Sequence, residues 1–219
     1  MFTQKNGLLF LLLILLAFPL MIPAAAGADY ATAYNDFGMN NSYGFTGPEF
    51  GSFSPNQYQV AAMFTSSSSG ALYGLALAAQ YLSGNNVITL SLLSDNGATL
   101  GSTLWSETFT NQLGPMKPTG KGQVLDVNNL GGPVLTAGST YWLLVSTDST
   151  SQVVWWEDST NMTSNYAQIR NGVPSYFYST NNLAMSVTVD TTAAPITGPV
   201  WLFGSGLAGL IGLKRKYSG

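Results

Sequence analysis

Four consecutive residues, Trp155, Trp156, Glu157 and Asp158, are the first place where this chain offers chemistry. Two carboxylates beside two indoles suit either glycoside hydrolysis or the grip of a sugar ring. A hydrolytic pair must flank the scissile bond from positions roughly 5 to 9.5 Å apart, whereas neighbours along a strand point to opposite faces. Glu157 and Asp158 do not meet that need together, and a second carboxylate such as Asp126 or Asp148 would have to come from the fold. The same alternation sends one of Trp155 and Trp156 to the core and the other outward. An outward indole near Tyr166, Tyr176 or Tyr178 would be a carbohydrate contact.

Other chemistry thins quickly. The 219 residues contain no histidine and no cysteine, which removes the commonest general base, the commonest zinc ligand and any disulfide. No G-x-S-x-G elbow, phosphate-binding loop or H-E-x-x-H helix occurs in the middle of the chain. Catalysis would fall to carboxylates, hydroxyls or lysine, and the expectation is that the protein is not an enzyme and carries no cofactor. Three oxygen-rich turns could hold a structural calcium: Asp95-Asn96, Asp126 with Asn128 and Asn129, and Asp158 with Asn161. None has EF-hand spacing, and Asp and Asn favour turns for backbone reasons alone.

The elements that must position these residues are strands. Only 8% of residues are charged, so the polar surface is built of Ser, Thr, Asn, Gln and Gly, a composition poor in helix formers. Short apolar runs bounded by turn residues predict strands over 57–64, 72–81, 87–93, 101–109, 122–127, 140–146, 152–156, 175–178 and 183–189. Asp95-Asn96-Gly97 predicts a tight hairpin joining the third and fourth of these. The fold class is therefore all-β, a two-sheet sandwich or jelly roll. Strands poor in lysine leave a sheet edge open to self-association. Between Asp29 and Asp190 stand ten acidic residues against Lys117, Lys121 and Arg170, and that negative field disfavours nucleic acid as a partner.

Both ends differ in kind from the middle. Lys5, the apolar run Leu8 to Phe18, prolines 19 and 23 and small residues up to Ala28 are expected to form a secretory signal peptide, cut by signal peptidase between Ala28 and Asp29, with a cut after Ala24-Ala25-Ala26 or a retained signal-anchor helix as the alternatives. Residues 29–56 follow as an extension of the mature domain, 57–190 as the β-domain and 191–199 as a Pro/Gly linker. Residues 200–219 hold a 14-residue apolar segment, Val200 to Leu213, then Lys214, Arg215 and Lys216. At roughly 21 Å it is short of a hydrocarbon core of about 30 Å, and the expectation is a short transmembrane anchor helix whose basic end stays cytoplasmic, leaving the domain outside. Gly204, Gly206 and Gly209 spell G-x-G-x-x-G, but no βαβ unit can follow in the residues left.

This tail, with Pro195 and Pro199 ahead of Trp201, Leu202, Phe203, Gly204, Ser205, Gly206 and Leu207 and the basic cluster behind, resembles the PEP-CTERM class of sorting signals. The resemblance implies processing by an exosortase-like enzyme near the prolines. In the middle, Val87 to Gly97, Leu100-Gly101-Ser102 with Leu104, and Leu135 to Leu143 are similar to the choice-of-anchor family of bacterial surface domains, type R. That likeness implies a β-sandwich and no reaction. The expected protein is an exported, membrane-tethered or processed surface or matrix protein with a structural or adhesive role. The alternatives are a module binding exopolysaccharide and, behind it, a carboxylate hydrolase.

Overall fold

A computed structural model describes residues 28–193 apart from 45, 118–122, 161, 180 and 181. The expected signal helix, the anchor helix, the sorting residues from Pro195 to Lys216, and Asn161 lie outside them. The regular structure of the described chain is nearly all strand: β1 (Tyr30–Asn35), β2 (Glu49–Phe53), β3 (Asn56–Thr65), β4 (Gly70–Leu77), β5 (Ala79–Ser83), β6 (Val87–Asp95), β7 (Leu100–Thr110), β8 (Leu125–Asn128), β9 (Val134–Leu135), β10 (Thr140–Thr147), β11 (Gln152–Trp155), β12 (Ser164–Arg170), β13 (Val173–Ser179) and β14 (Met185–Asp190). Among the described residues no helix is long and apolar enough to cross a membrane.

These strands make two curled antiparallel sheets. The smaller runs β1-β14-β4-β8, with β9 also on β4, and the larger contains the other nine strands. Alternating residues of both sheets meet in one core, among them Phe50, Phe64, Leu75, Leu90, Leu143, Trp155 and Val187. Burial of that apolar set is the main stabilising term, at roughly 25 cal/mol per Å².

The larger sheet branches at β3. Along one edge β3 pairs with β12 over Tyr58–Ala62; the other edge is shared by β10, opposite Val60–Thr65, and β2, opposite Asn56–Tyr58. Beyond β10 lie β6 and β7, and beyond β2 lie β11 and β5. Gly51, at φ +114°, bends β2 where it squeezes between β11 and β3; a Cβ there would strike the Ser151 carbonyl oxygen. That kink lets Phe50 enter the core while Phe53 meets the Tyr58 ring edge-on.

The β12–β13 hairpin curls over the outer face of its own sheet. The Tyr176 ring lies 6.0 Å from Trp142, and the Leu100 N–H donates to the Tyr176 hydroxyl at 3.2 Å. Five strand spacings separate β13 from β7, about 24 Å in a flat sheet, so only a strongly coiled sheet brings them together. Beneath the curl Ala61, Leu93, Trp142, Ala167 and Ile169 form a second apolar cluster, and the Trp142 indole N–H donates to Asp95 Oδ1 at 2.9 Å.

Several expectations shift. The strand predicted over 72–81 breaks at Ala78, whose N–H and carbonyl pair with Ala184 and Trp156, and the chain changes sheets there as β4 gives way to β5. Segment 29–56, expected as an extension, supplies β1 to the smaller sheet and β2 to the larger. Strands β9 and β12 went unpredicted. The hairpin after β6 forms, with Asp95 opposite Leu100, but its positive φ angles fall on Gly97 and Ala98 rather than Asn96 and Gly97.

Candidate functional site

Alternation at Trp155 and Trp156 holds, yet neither ring is outward. Trp155 is fully buried in the main core, its indole N–H donating to the Ala184 carbonyl at 3.0 Å. Trp156 turns to the other side and is 7% exposed, packed with Phe37, Tyr43, Val154 and Ala184. The expected outward indole is corrected by this third cluster, which covers the face that alternation alone leaves open. Neither ring presents a face for a sugar to stack on.

The acids beside them are engaged in local structure. Glu157 accepts from the Thr46 hydroxyl at 2.6 Å, and buried Asp158 accepts from the N–H groups of Thr160 and Met162 at 3.2 and 3.1 Å. Asp126 accepts from the Asn128 amide. Asp148 closes its own loop; hydrogen bonds from Ser151, then Asn85 and the Thr150 N–H, hold its carboxyl well below the usual carboxylate range. Asp95 binds the Ala98 N–H as well as Trp142. Of the acids considered for calcium, Asp95 and Asp158 therefore cap turns and Asp126 pairs with a side chain of its own strand, and among the described residues no group of three acids gathers.

The side chains that converge without such duties lie elsewhere, on the core-facing side of β3 where β12 and β13 extend the larger sheet. Register sets Tyr58 beside Arg170, Val60 beside Gln168, and Ala62 beside Tyr166 and then Phe177. Val60 and Ala62 point into the core, so Gln168, Tyr166 and Phe177 share that face, and Phe177 is 42% exposed. A cleft of about 340 Å³ opens there, lined by Glu49, Phe53, Tyr58, Gln59, Val60 and Gln168.

Its geometry is that of a binding surface. Phe53 and Tyr58 meet edge to face, with ring centroids 6.0 Å apart. The Arg170 guanidinium carbon sits 6.0 Å from the Tyr58 centroid, and its Nε donates to Asn56 Oδ1 at 3.1 Å. Beside the cleft Tyr166 and Phe177 stack at 5.1 Å, and burial, with Glu157 nearby, raises the Tyr166 phenol above its ordinary value. The side chains of Glu49, Gln59 and Gln168 take no hydrogen bond from the described chain. Of the tyrosines expected near a sugar, Tyr166 is on this face, while Tyr176 and Tyr178 face the opposite way, with Ala167 and Asn165.

A buried polar knot ties β1 to β14. Asp36 Oδ1 accepts from the Met185 N–H at 2.6 Å, and Oδ2 accepts from Asn182 Nδ2 at 2.8 Å and the Tyr34 hydroxyl at 3.1 Å. Burial, reinforced by the charge of Asp158, pushes the Asp36 carboxyl up to about 7 against the pull of those hydrogen bonds. Among the described residues, buried Asn182 Oδ1 has no partner. Sequence reading missed both the knot and the cleft, since Glu49, Tyr58 and Gln168 belong to strands brought together only by the branched sheet. Set against known proteins, the chain matches no family model and no curated sequence.

Proposed function

We propose that the chain is an exported, non-enzymatic surface or matrix protein, displaying a β-sandwich of the choice-of-anchor kind in an adhesive or structural role. Signal peptidase would release it after Ala28, and an exosortase-like enzyme would act on the tail at Pro195, Pro199, Trp201, Phe203, Gly204, Gly206 and the basic cluster Lys214, Arg215 and Lys216. The observation that carries this reading is the clasp between the two ends of the described domain. Asp29 O accepts from both the N–H and the hydroxyl of Thr191, each at 2.8 Å, so the described strands begin and end at one place. A cut between Ala28 and Asp29 falls just ahead of β1 and leaves every strand pairing intact. A tail leaving beside that cut would present the rest of the domain away from the membrane. Of the carboxylates that could have served hydrolysis, Asp148 and Asp158 cap their own turns and Glu157 accepts from the distant Thr46 hydroxyl, which supports a binding role over a catalytic one.

The test is the N-terminal sequence of the full chain expressed in an exosortase-bearing Gram-negative host, with protease shaving of intact cells. The expected result is a mature form starting at Asp29 and lost on shaving. A chain that keeps Met1, or that survives shaving of intact cells while lysis exposes it, overturns the reading.

A second reading, self-association, is supported by β13. Among the described residues this edge strand pairs only with β12, bears no charge, and exposes residues of both faces, Val173 at 68% and Tyr178 at 72% among them. Open, uncharged strand edges template further pairing. Sedimentation is expected to show concentration-dependent association that Ser175→Lys abolishes; a monomer at every concentration refutes it.

A further inference from the structure

We propose that the cleft between β2, β3 and β12 binds a neutral hexose polymer, with Tyr58 and Phe53 as the apolar platform and Gln168 and Glu49 as the polar groups that fix orientation. The inference deepens the adhesive reading and rests on it only for the purpose of the contact. Sugar rings carry C–H faces and a rim of hydroxyls, each both donor and acceptor. An aromatic face answers the first, and a primary amide, itself donor and acceptor, answers the second. A glutamine and a carboxylate without hydrogen-bond partners among the described residues, beside two aromatic rings, meet both needs at once.

A peptide is the poorer occupant. Binding an extended peptide by strand addition needs an open strand edge, and here β2 is paired to β11 and β3, and β12 to β3 and β13. Recognition in the cleft must therefore run through side chains. At about 340 Å³ it lies near the small end of the roughly 300–1,000 Å³ range of ligand sites, enough for a short stretch of a chain. Charge selects the class of sugar. Glu49 brings a carboxylate to the wall, and the stretch from Asp29 to Asp190 holds ten acids against three cations. A uronate polymer would meet repulsion from both. Arg170, the nearby cation, already holds Asn56 and lies over the Tyr58 ring.

The experiment is calorimetric titration of the full chain in detergent with cellohexaose, mannohexaose, maltohexaose and, as the acidic counterpart, hexagalacturonate. Saturable binding of at least one neutral hexasaccharide is expected, weakened about tenfold or more by Tyr58→Ala and about threefold to tenfold by Gln168→Ala. Gln168 is a half-buried surface side chain, so its variant reads the contact even where Tyr58→Ala disturbs folding. Tyr178→Ala, on the opposite face, leaves binding unchanged. Silence toward all three neutral sugars, preference for hexagalacturonate, or full affinity in Gln168→Ala and a folded Tyr58→Ala overturns the proposal. Silence from a chain still shaved off intact cells removes only the glycan cleft, whereas binding by a chain retained inside the cell removes only the surface location.

Discussion

Trp155→Ala is expected to lower the stability of the domain by about 3–5 kcal/mol, the usual cost of emptying a fully buried tryptophan site. The ring lies in the middle of the main core, between strands of both sheets, and its indole N–H is satisfied by the Ala184 carbonyl. That carbonyl also accepts from the Ala78 N–H at the point where the chain changes sheets, so the loss falls on the joint between them. Domains are commonly stable by only 5–15 kcal/mol, and such a variant is left close to unfolding. Trp156 gives the opposite expectation. Its indole N–H is buried without a partner among the described residues, and Trp156→Phe keeps most of the apolar bulk while removing the orphaned donor. Leaving a buried donor unsatisfied costs about 1–3 kcal/mol, so Trp156→Phe is neutral or stabilising. Urea unfolding followed by circular dichroism measures both. A Trp155→Ala midpoint near wild type, or a Trp156→Phe loss above about 2 kcal/mol, contradicts this account of the two rings.

The pair also marks where the sequence was legible and where it was not. Period-two alternation placed Trp155 and Trp156 on opposite faces, and that is how they lie. What alternation could not carry is whether the second face is wet, because Phe37, Tyr43 and Ala184, which cover Trp156, arrive from distant parts of the chain. The apolar runs of β3, β6, β10 and β11 announced themselves, and Asp95-Asn96-Gly97 announced the β6–β7 hairpin. β12 did not, since Ser164–Arg170 is mostly polar and becomes a strand only because β3 has a free edge to pair with. β1 and β2 were missed for the same reason, being short strands defined by their partners. Ala78 could break a continuous strand because a small residue tolerates the crowded crossing between sheets, a demand invisible in its own neighbourhood. The cleft follows from the branching at β3 and from the bend at Gly51, and neither leaves a local signal in the spacing of Glu49, Tyr58 and Gln168.

Stability of the domain is expected to fall as pH rises from about 4 to 7, with Asp36 as the cause. A carboxyl whose folded value stands at about 7, against an ordinary 3.8, is bound more favourably as the neutral acid than as the anion. Its contribution is complete below the unfolded value and is lost as pH rises through the folded one. Three units of displacement correspond to about 4 kcal/mol at most, large beside the total. The surroundings explain the sign. Asp36 is 1% exposed, the charge of Asp158 opposes its ionisation, and Tyr34 beside it is itself held neutral, its phenol pushed up first by burial and then by Asp36. The unpartnered Oδ1 of Asn182 gives the neutral acid a further use: turning the Asn182 amide over would offer that oxygen to a protonated Asp36. Asp148 works the other way. Its lowered carboxyl stabilises the fold above the ordinary carboxylate value and ceases to as pH drops below it. The two together place the stability maximum near pH 4–5, acid of neutrality. Asp36→Asn, neutral at every pH and nearly the same shape, should flatten the decline between pH 5 and 8 and exceed wild type at pH 8. Urea midpoints of both chains at pH 4.5, 6 and 8 decide it. A wild type equally stable at pH 4.5 and 8, or a variant with an undiminished slope, would mean that Asp36 is ionised in the fold at little cost and that the knot between β1 and β14 is held by its carboxylate rather than despite it.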